Sequence, residues 1–324
     1  MTSAQPALTL GLDGFTYPDL HDPLRLRDLY DLFCRRVEAS DPQLWSAWEA
    51  YRADPDAPRP ATERSDLLVR MSPHVSRFLV ELFRVEEAAA GVARSTANLD
   101  ALFRFKADFV RKRALPLVKG GARVALDPAD VDVVRALAAP WAATDDHELA
   151  IALAGCALLD RETDVRASGT DEEKAALNAQ IEAMKRWCAA CLHDPGYRPW
   201  VIFKFPETLD YFNLVHVLRS KDLPQAMFGP DDRLRRRDGF KLTDARMKPR
   251  DVLSEIHYCV LCHERDKDSC SKGLRDKDGK VVVNPLGIEL GGCPLGEKIS
   301  EMHLLRKQGD AVGALALVAI DNPM

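Results

Sequence analysis

Four of the eight cysteines crowd toward the C-terminal end, Cys259, Cys262, Cys270 and Cys293. The other four, Cys34, Cys156, Cys188 and Cys191, are scattered through the first 200 residues. A C-x2-C pair such as Cys259–Cys262 turns two thiolates toward one metal ion or one face of a cluster, which is why zinc and iron–sulfur sites both use it. Nothing in the composition favours structural disulfides. The N-terminal segment has no basic stretch followed by an apolar one, and no run of about 18 apolar residues occurs, so the reading is a cytoplasmic protein with reduced thiols.

The four cysteines follow the pattern C-x2-C-x7-C-x22-C-P. Bacterial ferredoxins run C-x2-C-x2-C-x3-C-P, so the order matches and the gaps are wider. The longest gap contains Asp278-Gly279 followed by Lys280, Val281, Val282 and Val283, the signal of a two-residue hairpin turn. A hairpin inserted there leaves Cys270 and Cys293 together if its ends return to one place. Gly287, Gly291 and Gly292 permit close backbone approach and N–H donation to sulfur. After Cys293-Pro294, Leu295, Ile299, Met302 and Leu305 keep helical spacing. Gly309 then stops that helix, and Asp310 caps another that ends at Asp321-Asn322-Pro323.

This ordered set resembles the N-terminal iron–sulfur domain of the group containing the glutamate synthase small subunit and dihydropyrimidine dehydrogenase, FAD-dependent pyridine nucleotide-disulfide oxidoreductases. The resemblance covers roughly residues 255–324. It implies an α-helical ferredoxin-like module with two [4Fe–4S] clusters that relays electrons for a following FAD- and NAD(P)H-binding unit. Cys259, Cys262 and Cys270 would match ligands of the first cluster, and Cys293 the first ligand of the second. The gaps around Cys270 exceed the family's. The family's remaining ligands follow the Asp-Asn-Pro, whereas this chain ends at Met324, which implies a fragment or a second subunit that completes the clusters.

The elements that must position these cysteines read as helices. Asp22-Pro23 and Asp41-Pro42 each supply an N-cap and an N1 proline, and Asp127-Pro128 repeats the device. Ser72-Pro73 opens another helix with Val75, Phe78, Leu79 and Leu82 on one face. Leu99, Leu102, Phe103, Lys106 and Val110 share a face, and Thr144-x-x-His147 and Thr170-x-x-Glu173 start two more helices. Trp200–Phe205 reads as a short strand or extended loop, and Leu209–Leu218 as a helix. The expected fold is therefore mainly α: a helical domain over 1–250, then an iron–sulfur module with a small β-hairpin over 251–324.

Several classes are excluded or left open. The formal charge of −5 gives no global basic field for nucleic acid. No G-x-G-x-x-G turn, phosphate loop or G-x-S-x-G elbow occurs, so the chain alone should carry electrons and catalyse nothing. Cys188 and Cys191 also form C-x2-C, but they continue the face of Leu177, Ile181 and Met184, where cysteine packs as a small hydrophobe. The basic run Arg233, Arg235, Arg236 and Arg237 reads as a solvated face or a docking surface for the flavin unit. His257 and His263 read as solvated or supporting residues. The competing function is a helical scaffold or regulatory protein with a structural zinc site, closed by the four cysteines or by three with a histidine. Residues 1–250 are open to a packing, dimerisation or sensor role.

Overall fold

The computed structural model describes residues 9–322 apart from 56, 207, 216, 231–238, 240–245 and 266. Its first helices start as their Asp-Pro steps dictate: the aspartate accepts a first-turn N–H, and the proline gives up only a donor the helix could not use. Asp22 accepts from Leu24 N at 2.9 Å ahead of α1 (Pro23–Ser40). Asp41 accepts from Leu44 N at 3.0 Å ahead of α2 (Pro42–Ala53).

The next helix corrects the reading of Ser72-Pro73 as a start. Helix α3 (Ala61–Leu82) runs straight through Pro73. An interior proline costs about 3 kcal/mol. Along α3, however, Leu67, Leu68, Met71, Phe78 and Leu82 are all buried, at roughly 1.5–3 kcal/mol each. Burial wins, and the Ser72 hydroxyl donates to Leu68 O at 2.7 Å beside the broken ladder.

Then come α4 (Glu86–Ala97) and α5 (Asp100–Phe105), which continues into a π-helical segment, Lys106–Ala114. The wider turn lets Phe105, Phe109, Val110 and Ala114 all face inward, each fully buried. After α6 (Pro128–Ala138) and α7 (His147–Ser168), the expected capping box opens α8 (Asp171–Cys191). Thr170 N donates to Glu173 Oε2 at 2.8 Å and Glu173 N to Thr170 Oγ1 at 3.2 Å. Cys188 and Cys191 line the buried side of α8, and burial pushes the Cys191 thiol up to about 12. They are inert packing residues.

Two further expectations fail. Residues Val201–Phe203 form a buried 3-10 turn, not a strand. The described residues of 209–218, expected to be helical, are not; Leu209, Phe212 and Val215 are exposed, so no burial among the described residues rewards an amphipathic helix there. That stretch leads into a two-stranded antiparallel pair, β1 (Leu218–Arg219) and β2 (Met227–Phe228), with Leu218 opposite Phe228. The arginine run at 233–237 lies outside the described residues.

The C-terminal elements are α9 (Pro249–Ile256), the single-turn α10 (Ser269–Lys272), α11 (Ile299–Lys307) and α12 (Ala311–Asp321). The protein is mainly α-helical. The main core joins α5, the π segment, α6–α8, the 201–203 turn and Leu253 of α9. A second group forms on α3, where Leu10 and Leu12 pack with Leu29, Phe78 and Leu82. On another face of α3, Leu68 meets Leu305, Ala314 and Leu317 of α11 and α12. The cysteine region thus has one end on each group. No helix among the described residues is long and apolar enough to cross a membrane.

Candidate thiolate site

Helix α9 delivers Cys259 and Cys262. Arg250 in its first turn pairs with Asp146 and, at 2.8 Å, with Glu148 Oε2 at the start of α7. Glu148 is buried and also accepts Ile202 N at 2.9 Å, so α9 is fastened to the main core by charge as well as by Leu253. At its other end His257 stacks on Phe103, with centroids 4.1 Å apart. Burial, with Lys307 and Lys106 nearby, lowers the His257 pKa to about 4. The reading of His257 as a solvated residue is therefore replaced by a neutral stacking role; the side chain of His263 lies outside the described set.

Around Cys262 the backbone departs from ordinary conformations. Leu261 (φ 48°) and Asp268 (φ 33°) are two of the three non-glycine residues with left-handed φ among the described residues. Such strain persists only where the surroundings impose it, and it clusters at functional sites. Between them, Cys262–Arg265 makes a 3-10 turn, and Ser269 N donates to Cys262 Sγ at 3.2 Å. Donation to sulfur stabilises a thiolate over a thiol.

Cys270 and Cys293 meet because the 22 residues between them fold back. Asp276 N donates to Lys280 O at 2.9 Å around the expected Asp278-Gly279 turn. A second turn, in which Asn284 N donates to Ile288 O at 2.9 Å, makes a small meander where one hairpin was expected. Leu274 N then reaches Leu290 O at 3.0 Å, and Cys293 N reaches Cys270 O at 2.8 Å. The returning strands are too close for side chains. A Cβ on Gly292 (φ 83°) would lie 2.4 Å from Gly273 N and 2.6 Å from Ser271 O, and one on Gly273 (φ 78°) would lie 2.3 Å from Leu290 O.

Charge is concentrated here. Although Cys270 is exposed as a residue, partial desolvation on its inner side pushes the thiol up, followed by Cys262, Cys259, Asp268 and Glu301. Asp268 is buried, its Oδ1 without a hydrogen-bond partner among the described residues and its Oδ2 3.6 Å from Lys298 Nζ. Glu301 is fully buried and receives the Ser65 hydroxyl of α3. Lys307 faces Cys259. Two carboxylates, Asp268 and Glu301, and two ammonium groups, Lys298 and Lys307, thus surround the cysteines. Cys262 is buried, Cys259 and Cys293 half-buried and Cys270 exposed, so one edge of the group opens to solvent. Among the described residues no three His, Cys, Asp or Glu side chains close around a single ion.

Behind Tyr258 sits Lys106, which the sequence placed on an apolar helical face without a role. Its Nζ lies 3.3 Å from Ser254 Oγ, 3.2 Å from Tyr258 Oη and 4.4 Å from the centre of the Tyr258 ring. Burial lowers its pKa to about 8, against the opposing pull of Glu255 and Glu148. The Tyr258 hydroxyl donates to Lys204 O at 2.6 Å. Sequence reasoning missed Leu261, Asp268, Gly273 and Glu301. Only Gly273, a glycine three residues after a cysteine, carried a local signal.

Fold and site together define a helical protein whose thiolate-bearing loop is strung between two helical groups. Residues 10–84 match the family model of the RP005 N-terminal alpha-helical domain. Its two ends meet, since Gly11 N donates to Leu82 O at 2.8 Å. The chain is also 27% identical over 296 residues to the uncharacterized protein RP005 of Rickettsia prowazekii, covering 87% of this chain and 94% of that protein. No solved structure matches.

These similarities overturn the resemblance to the glutamate synthase small subunit and dihydropyrimidine dehydrogenase group, because none carries an iron–sulfur or oxidoreductase description. The physical reason is that C-x2-C and Cys-Pro are local solutions for turning thiolates together, open to unrelated chains. The x7 and x22 gaps mark where this chain departs from that family. Expectations that rested on the resemblance alone, the ferredoxin-like module among them, lose their support.

Proposed function

We propose that Cys259, Cys262, Cys270 and Cys293 hold an iron–sulfur centre and that the protein is an electron carrier without catalysis of its own. The observation that carries this reading is the backbone clamp at Cys270–Cys293. It joins two cysteines that are distant in sequence, and Cys262 and Cys259 lie near enough to Cys270 to act on its thiol. Such a centre supplies one-electron transfer at a potential set by hydrogen bonds to sulfur and by solvent access. This chain contributes the donation from Ser269 N to Cys262, the nearby cations Lys307 and Lys298, and an open edge at Cys270.

That open edge favours redox exchange over a closed structural zinc site.

The test is anaerobic purification and reconstitution with iron and sulfide. A brown protein absorbing near roughly 400 nm, with acid-labile sulfide in proportion to iron, is expected. A colourless protein with one tightly held zinc and no sulfide would replace this reading with the structural one.

A further inference from the structure

On the main helical group, away from the thiolate loop, a cleft of about 840 Å³ opens between the end of α8, the turns at 195–203 and the 3-10 segment Leu115–Gly121. Its volume is that of a small-molecule site. The floor is apolar: Val118 and Phe203 are buried there. The rim is cationic. Lys204 is paired with Asp251 at 3.0 Å, and Asp194, which accepts Gly196 N at 2.8 Å, is a carboxylate on the same rim, outnumbered by the arginines there. Arg123 and Arg198 also line the cleft, and neither has an ion-pair partner among the described residues.

Two guanidinium groups without an ion pair among the described residues thus stand at the rim of one apolar hollow. Like charges at one rim repel, and an apolar floor beside them weakens the screening that water would give. Both features are relieved by one kind of occupant. We propose that this cleft binds an organic anion of metabolite size. Arg123 and Arg198 take its carboxylate or phosphate, and its apolar body rests on Val118 and Phe203. Guanidinium is suited to this task because its fork of donors matches the oxygens of either anion. The inference is independent of any metal centre at the cysteines.

The test uses the full chain and two matched fluorescent probes. One is the anion 8-anilinonaphthalene-1-sulfonate; the other is its uncharged relative N-phenyl-1-naphthylamine. The anion should bind saturably at one site, be displaced by benzoate or phenyl phosphate, and bind at least tenfold more weakly to R123E/R198E. Both arginines are exposed, so the variant should keep the wild-type thermal midpoint. Val312→Arg, in the separate apolar groove between α3, α4 and α12, should change nothing. Equal affinity for the uncharged probe, unchanged binding by R123E/R198E, or loss of binding in V312R would each overturn the proposal.

Discussion

Gly292→Ala tests the clamp that joins Cys270 to Cys293. The added methyl would stand 2.4 Å from Gly273 N and 2.6 Å from Ser271 O, both backbone atoms that cannot swing aside. To reach ordinary contact the two strands must part by about 1 Å. The Cys293 N–H···O Cys270 bond, now 2.8 Å, would then exceed the ~3.2 Å limit of a useful N–H···O bond. The left-handed φ of 83° adds about 1–2 kcal/mol for any residue with a Cβ. Local opening at the clamp should therefore become easier by about 1–2 kcal/mol, or roughly tenfold in the exchange rate of the Cys293 amide. Amide hydrogen–deuterium exchange reads this directly, and reconstituted iron should fall in parallel. Gly291→Ala is the control, since its Cβ would meet nothing within 4 Å. If both variants exchange at the wild-type rate, the close approach of these strands does not position the cysteines.

Three other outcomes follow from the same structure. Cys188→Ala should leave any iron and sulfide content unchanged while costing about 1–2 kcal/mol in urea unfolding, whereas Cys259→Ala should lower the metal content; equal metal losses would refute the separation of the two pairs. Arg250→Ala should destabilise the chain by about 3 kcal/mol, because it strands the buried Glu148 carboxylate, and Glu148→Gln in the same chain should restore part of the loss; thermal melts measure both. Lys106 has a folded pKa of about 8, below its ordinary 10.5, so the unfolded chain binds more protons between those values. The stability of the wild type relative to Lys106→Met should therefore rise between pH 8 and 10.5, by about 2 kcal/mol after solvent screening, and a difference that is flat with pH would contradict the burial argument.

How much of this was legible depended on whether a signal was local. The Asp-Pro starts, the Thr170–Glu173 box and the Asp310 cap each need only a few neighbouring residues, and each formed; at Asp278-Gly279 the chain does reverse, but through three residues between Asp276 and Lys280 where two were expected. Pro73 misled because the helix it interrupts is held by tertiary burial at Leu67, Leu68 and Phe78, which spacing cannot price. Residues 209–218 misled in the opposite sense: their pattern suits a helix, but Leu209, Phe212 and Val215 find no cover among the described residues. The π segment is a consequence of packing Phe109 and Val110 side by side, and it leaves no periodic trace. At the cysteines the residue types were legible and their supports were not. Glu301 depends on Ser65, and Phe103 meets His257, across separations no local pattern spans.

The anchoring of the cysteine loop at both ends has a mechanical consequence. Cys259 hangs just past α9, which belongs to one helical group, while Cys293 leads into α11 and α12, which are bolted to α3 in the other through Ser65–Glu301 and Ser76–Asp310. A slide of one group against the other would therefore be felt as tension across the thiolates, and anything gripped by all four sulfurs would in turn lock the two groups in register. A peptide excised at residue 250 would lose both abutments at once, and its chemistry would say little about the intact span.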